Sequence, residues 1–143
     1  MDWKQEAVDR LRQLDRLRNS VRSMGQEIKN IREEMGALHG VDTARVAVRG
    51  SGWNDDALMG ALVKLRELEG ALCRTKRRIR EVESALDAMD AEDRLILEEM
   101  YVRKEGGGVD RAAEALGVAS SGVYRRRDKA LREFTIALYG VGN

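Results

Sequence analysis

Between Trp3 and Leu38 apolar residues return every seven positions. Leu14, Val21, Ile28 and Met35 hold one core position, and Leu17, Met24, Ile31 and Leu38 hold the other. Arginine, glutamate and aspartate fill the remaining places, so the pattern predicts a coiled-coil seam of about four heptads. A second register starts at Leu58 and runs without a slip. Leu58, Leu65, Leu72, Ile79 and Leu86 alternate with Ala61, Leu68, Thr75, Val82 and Met89. The stretch between them, residues 39–54 (HGVDTARVAVRGSGWN), breaks the pattern with Gly40, Gly50 and Gly52. It reads as a plain loop with one packed aromatic, Trp53. Asn54, Asp55 or Asp56 can cap the second helix. Two helical runs of similar length joined by a turn predict an antiparallel hairpin, with Gly60 and Gly70 allowing close approach. Parts of Leu11, Ile31, Leu62 and Val63 find no partner on such a seam, which predicts that two hairpins associate as a homodimer.

Beyond the second run the pattern changes. Asp90–Arg103 predicts a helix with Leu95, Ile96, Met100 and Tyr101 turned inward, and KEGGG at 104–108 predicts a flexible connection. Val109–Leu116 is a short helix former with Ala112, Ala113 and Leu116 on one face. Gly117 sits where a helix must stop, because only a residue without Cβ enters the left-handed region cheaply. Val118 is the apolar residue past the stop, and Ser120 or Ser121 can cap a new helix. That helix carries Val123, Ala130, Leu131 and Phe134 at 3.6-residue spacing, among Arg125, Arg126, Arg127, Lys129 and Arg132. Ala113 four residues before the glycine and Val123 six after it let two helices cross closely. The expected unit is a helix-turn-helix, whose second helix enters the DNA major groove.

Those residues also carry a resemblance. LDAMDAEDRLILEEMYVRKEGGGVDRAAEALGVASSGVYRRRDKALREF resembles the promoter-reading C-terminal domain (region 4) of bacterial sigma factors. The likeness lies in the helix entered through Asp90 and Asp93, the AAEALGV turn, the SSGVYRR start and the KALREF close. With the long helical region ahead of it, the chain is similar to sigma-factor-like regulators of phages and prophages of Gram-positive bacteria. The resemblance implies promoter DNA as ligand and RNA polymerase as a further partner. One departure stands out: a turn beyond Val123, where such helices place an apolar residue, this chain has Arg126 and Arg127.

The expected fold is therefore all-α. A helical hairpin over 1–89 serves oligomerisation, a helix-turn-helix domain spans 90–139, and 140–143 is a tail. Ser121, Tyr124, Arg125 and Asp128 project away from the Val123–Leu131 face and are the expected base readers. Arg111, Ser120, Arg126, Arg127 and Lys129 are the expected phosphate contacts, which position without reading sequence.

Charge sharpens this picture. The net charge is only +1 (26 basic against 25 acidic residues), but it is unevenly spread. Residues 73–80 (CRTKRRIR) carry five positive charges and no negative ones; 81–110 carry three positive and ten negative; 120–134 carry five positive and two negative. Binding nucleic acid needs a basic surface, not a basic total. The absence of proline, 4% aromatic and 36% charged residues favour extended helices. No run is long and apolar enough to span a membrane, and the charged start is unlike a signal peptide, which predicts a cytoplasmic protein. Cys73 and His39 are the only residues of their kinds, so no internal disulfide and no metal cluster is expected. Gly106–Gly108 lack the lysine and hydroxyl of a phosphate-binding loop, and no catalytic constellation is evident. The chain reads as a non-enzyme without a cofactor. Two other classes fit less of the pattern: a small-terminase-like DNA-packaging adaptor, and a protein-interaction module without DNA binding.

Overall fold

The computed structural model describes residues 2–39 and 55–140, with 37–39 as backbone. The 40–54 connection, with Trp53 and the candidate cap Asn54, and residues 141–143 lie outside the described residues. Everything regular among the described residues is helical. Two long helices, α1 (Trp3–His39) and α2 (Asp55–Asp87), precede three shorter ones. These are α3 (Ala91–Leu97), which runs on into a π turn at Glu98–Val102, then α4 (Gly108–Leu116) and α5 (Ser120–Tyr139). The chain divides into two compact units, residues 19–76 and residues 1–18 together with 77–143.

In the 19–76 unit the heptad register is visible in burial. Val21, Met24, Ile28, Ile31 and Met35 of α1, and Ala61, Leu65, Leu68, Leu72 and Thr75 of α2, are all sheltered from full exposure. Salt bridges Glu27–Lys64 (2.9 Å) and Arg32–Glu69 (2.8 Å) flank the seam. Exposed pairs of this kind contribute little each, so the apolar seam carries the association. Gly60 does not mark a close helix crossing: a Cβ there would meet open space. At Gly70 a Cβ would meet only Arg74 of the same helix. The expectation of close approach at these glycines is therefore corrected. Met59, Leu62 and Val63 form an exposed apolar stripe one helical turn long.

The other unit is built around one core. Ala7, Val8, Leu11 and Leu14 of α1, Val82, Ala85 and Leu86 of α2, Leu97 of α3, and Ala130, Leu131 and Phe134 of α5 are buried together. Leu11, expected to lack a partner, is fully buried here. It lies outside the heptad seam, but α5 covers the side of α1 that a two-helix hairpin leaves bare. The Tyr139 hydroxyl donates to Glu6 (2.8 Å) and Lys4 pairs with Asp128 (3.3 Å), closing α5 onto α1 along its length.

A second, smaller cluster joins Ile96, Ala112, Ala113 and Val123, with Met100, Val109 and Leu116 at its edge. Here α3 departs from the expected pattern. Leu97 is buried where Leu95 was expected to be, and the helix passes at Glu98 into a π turn closed by the Arg103 amide donating to the Glu98 carbonyl (2.8 Å). One extra residue in the turn rotates the side chains after it. It brings Glu99 under α4 and Tyr101 toward α1.

Candidate nucleic-acid interface

The turn between α4 and α5 is set by Gly117, at φ 68° and ψ 33°. The Val118 amide donates to the Ala113 carbonyl (3.0 Å) and the Gly117 amide to Glu114 (3.3 Å), the paired bonds of a Schellman motif. The start of α5 differs from expectation. Ala119 occupies the capping position, in extended backbone, and no side chain caps the helix. Ser120 is already helical; its hydroxyl lies 3.4 Å from Asp110 of α4. Ser121 is exposed. The glycine turn aims α5, and the serines are left to the surface.

Val123, Ala130, Leu131 and Phe134 face inward, as their spacing predicts. The opposite side shows Ser121, Arg125 and Arg132 at i, i+4 and i+11, all exposed, with Tyr124 half-exposed beside them. Among the described residues neither Arg125 nor Arg132 forms an ion pair. Arg132 was not among the expected contacts, although its spacing from Arg125 places it on the same stripe.

The other basic residues are more engaged. Arg126 turns back to α3, where it pairs with Glu92 and with Asp93, the latter at 3.1 Å. These partners hold its guanidinium above its ordinary pKa, chiefly through the Glu92 hydrogen bond. Lys129 lies 3.9 Å from the second oxygen of Asp93 but stays exposed. Arg127 lies over the Tyr124 ring (5.7 Å) and beside Asp128 (3.6 Å). Asp128 itself leans toward Lys4 of α1. Arg111 donates to the Glu99 carboxylate (2.7 Å) and to the carbonyls of Gly106 and Glu105, so it braces the glycine connection. That arginine depresses the Glu99 pKa.

Of the nine expected contacts, Ser121, Tyr124, Arg125 and Lys129 thus share the outer side of α5, and Ser120 lies at its start. Arg126 and Arg111 are held by carboxylates of the same unit, while Arg127 and Asp128 sit on the flank facing α1. Within the acidic block at 81–110, Glu92, Asp93 and Glu99 are the counter-charges for these basic residues, while Glu81, Glu83, Asp87, Glu98 and Glu105 pair with Arg10, Arg18, Arg94 and Arg103. Further basic side chains, Arg77, Arg78 and Arg80, stand exposed on α2.

The long 104–108 connection also has a structural purpose. Gly107 is left-handed (φ 80°), and a Cβ on Gly108 would run into the backbone of Glu99. Among the described residues no group of three metal-ligating side chains occurs, and no helix is long and apolar enough to cross a membrane. Compared with known protein families, with curated proteins and with solved structures, the chain finds no match.

Proposed function

We propose that the chain is a sequence-specific DNA-binding transcription regulator, of the sigma-like kind met in phages and prophages. In this reading α4, Gly117 and α5 form a helix-turn-helix with α5 as the recognition helix. The long helices form an antiparallel hairpin that serves assembly. The observation that carries it is the outer stripe of α5. Arg125 stands there without a counter-ion among the described residues, between exposed Ser121 and Arg132, on a helix otherwise anchored by a buried face and a fixed turn. Arginine on an exposed helix face matches the donor–acceptor code of guanine in the major groove. In this reading Lys129, Arg132 and Arg127 meet phosphates on either side.

The test starts with recovery of genomic fragments on the purified protein, followed by sequencing. With the recovered site as probe, Arg125→Ala relaxes preference at one base pair at a cost of roughly 1–3 kcal/mol. Lys129→Ala weakens all sequences alike and lowers the salt slope by about one. Absence of duplex binding even at low salt leaves only the interaction-module reading. The exposed Met59–Leu62–Val63 stripe supports self-association. Light scattering at micromolar concentration then gives a dimer for the regulator; a ring of eight or more subunits selects the packaging adaptor.

A further inference from the structure

Not every cation around the α5 unit is neutralised, and those left over are grouped. Arg10, Arg18, Arg94, Arg111 and Arg126 each have a carboxylate partner. Arg12, Arg16 and Lys104 have none among the described residues, yet they line one open groove of about 550 Å³ with Met100, Tyr101, Arg103 and one carboxylate, Glu105. Arg103 is already paired with Glu99 and Glu105. Arg12 and Arg16 are one turn apart on the exposed side of α1, about 6 Å from each other. Three cations held side by side repel one another, and an anion supplied from outside relieves that repulsion.

The groove connects to α5 by alternating aromatic and cationic side chains. The Arg127 guanidinium lies 5.7 Å from the Tyr124 ring centre and beside Tyr101. The Tyr101 ring in turn carries Arg12 at 5.6 Å. Guanidinium groups therefore run from the flank of α5 that faces α1, where Asp128 lies beside Arg127, over Tyr101 and onto α1. Planar guanidinium groups spread over aromatic rings keep their edges free for phosphate oxygens.

We infer that Arg12, Arg16 and Lys104 hold phosphates of the same DNA duplex that α5 reads, so that the N-terminal helix is part of the nucleic-acid interface. This rests on the reading of α5 given above. The groove is open and its cations come from two segments, α1 and the 104–108 connection, which suits an extended polyanion better than a compact anion. Contacts of this type carry no sequence information; they lengthen the footprint on one side and add to the salt dependence.

The experiment compares wild type, Arg125→Ala and the triple variant Arg12→Ala/Arg16→Ala/Lys104→Ala. Each is titrated at several salt concentrations against the recovered fragment and against a mixed-sequence duplex of about three helical turns. Each lost phosphate contact removes about 0.9 from the salt slope, so the triple variant loses about 2 to 3 while keeping its base preference. The variant Arg16→Ala/Lys104→Ala, which leaves the Arg12–Tyr101 stack intact, loses about 2 and guards against misfolding of the triple. Wild-type slope and affinity in both variants, with Arg125→Ala weakened, overturn the inference and leave the α5 reading standing. If wild type binds neither duplex, the α5 reading fails and takes this inference with it.

Discussion

Asp93 and Arg126 meet at 3.1 Å, and the carboxylate is 1% exposed. The oxygen is near the guanidinium without being aligned for a directed hydrogen bond, so the contact is mainly electrostatic. It explains how α5 carries arginine where an apolar residue was expected: a buried acid on α3 replaces the apolar contact. Arg126→Ala strands that acid. The expected loss is about 2–4 kcal/mol, below the full cost of breaking a buried pair because Arg126 is partly exposed and Lys129 is close. The double variant Asp93→Leu/Arg126→Met should regain most of it. Urea midpoints of the three proteins measure this, and a single variant as stable as wild type would refute the role given to the pair.

Glu99 gives a pH signature. Its folded pKa is lowered, first by the hydrogen bond from Arg111, from an ordinary value of 4.5. A lowered carboxylate pKa stabilises the fold fully above the ordinary value, and the contribution disappears as pH falls through the lower folded value. Glu99→Gln should therefore cost about 1–3 kcal/mol near neutrality. The melting temperatures of variant and wild type should converge on acidification below pH 4.5. A gap that is constant from neutral to acid pH would show that the charge is not the cause.

Two neighbouring glycines should behave differently. A Cβ on Gly108 would stand 2.9 Å from the Glu99 carbonyl carbon and 3.0 Å from the Met100 Cα, both backbone atoms that cannot swing aside. Gly108→Ala should cost about 1–3 kcal/mol or more. Gly106 faces open space, and its alanine variant should stay within about 0.5 kcal/mol of wild type. Thermal unfolding of the two, side by side, checks the packing of α4 on the π turn.

At Gly117 the cost is conformational and not steric, since nothing lies within 4 Å of a Cβ there. Gly117→Ala should lose about 1–2 kcal/mol, Gly117→Val more, and Gly117→Asn least. Val123, fully buried, should lose about 2 kcal/mol on truncation to alanine. Leu116 is only partly covered, so Leu116→Ala should fall at or below the low end of the usual range of about 2–5 kcal/mol. Denaturant midpoints rank the set, and Gly117→Val at wild-type stability would remove the turn from its place.

Much of this was legible in the sequence because it is periodic or local. Heptad spacing located α1 and α2, and the inward face of α5 came from the spacing of Val123, Ala130, Leu131 and Phe134. The stop at Gly117 needed only the steric rule for left-handed backbone. Three things were not legible. α3 buries Leu97 and leaves Leu95 only partly covered, and the π turn that follows at Glu98–Val102 re-aims Glu99 and Tyr101; an inserted residue in a helix has no periodic signature. Ser120 and Ser121 looked like caps by type, while the tertiary position of the turn gave that place to Ala119. The partners of Arg111 and Arg126 come from α3 and its π turn, distant in sequence, and charge alone does not say which basic residues are already spoken for.

The shared core of α1 and α5 has a consequence for synthesis. Its first contributors are Ala7 to Leu14 and its last is Phe134, so the contacts that complete the unit join nearly opposite ends of the chain. As the polypeptide leaves the ribosome, Leu11 and Leu14 must wait without their final cover until residues beyond Phe134 have emerged. Helices can form in order as they are made, but the unit that carries α5 closes only as a last step. A fragment beginning at Asp90 would carry α5 with the apolar side of Leu131 and Phe134 open to water. On this arrangement the Ala7–Leu14 stretch is a lid over the hydrophobic floor of α5, made before it and seated after it.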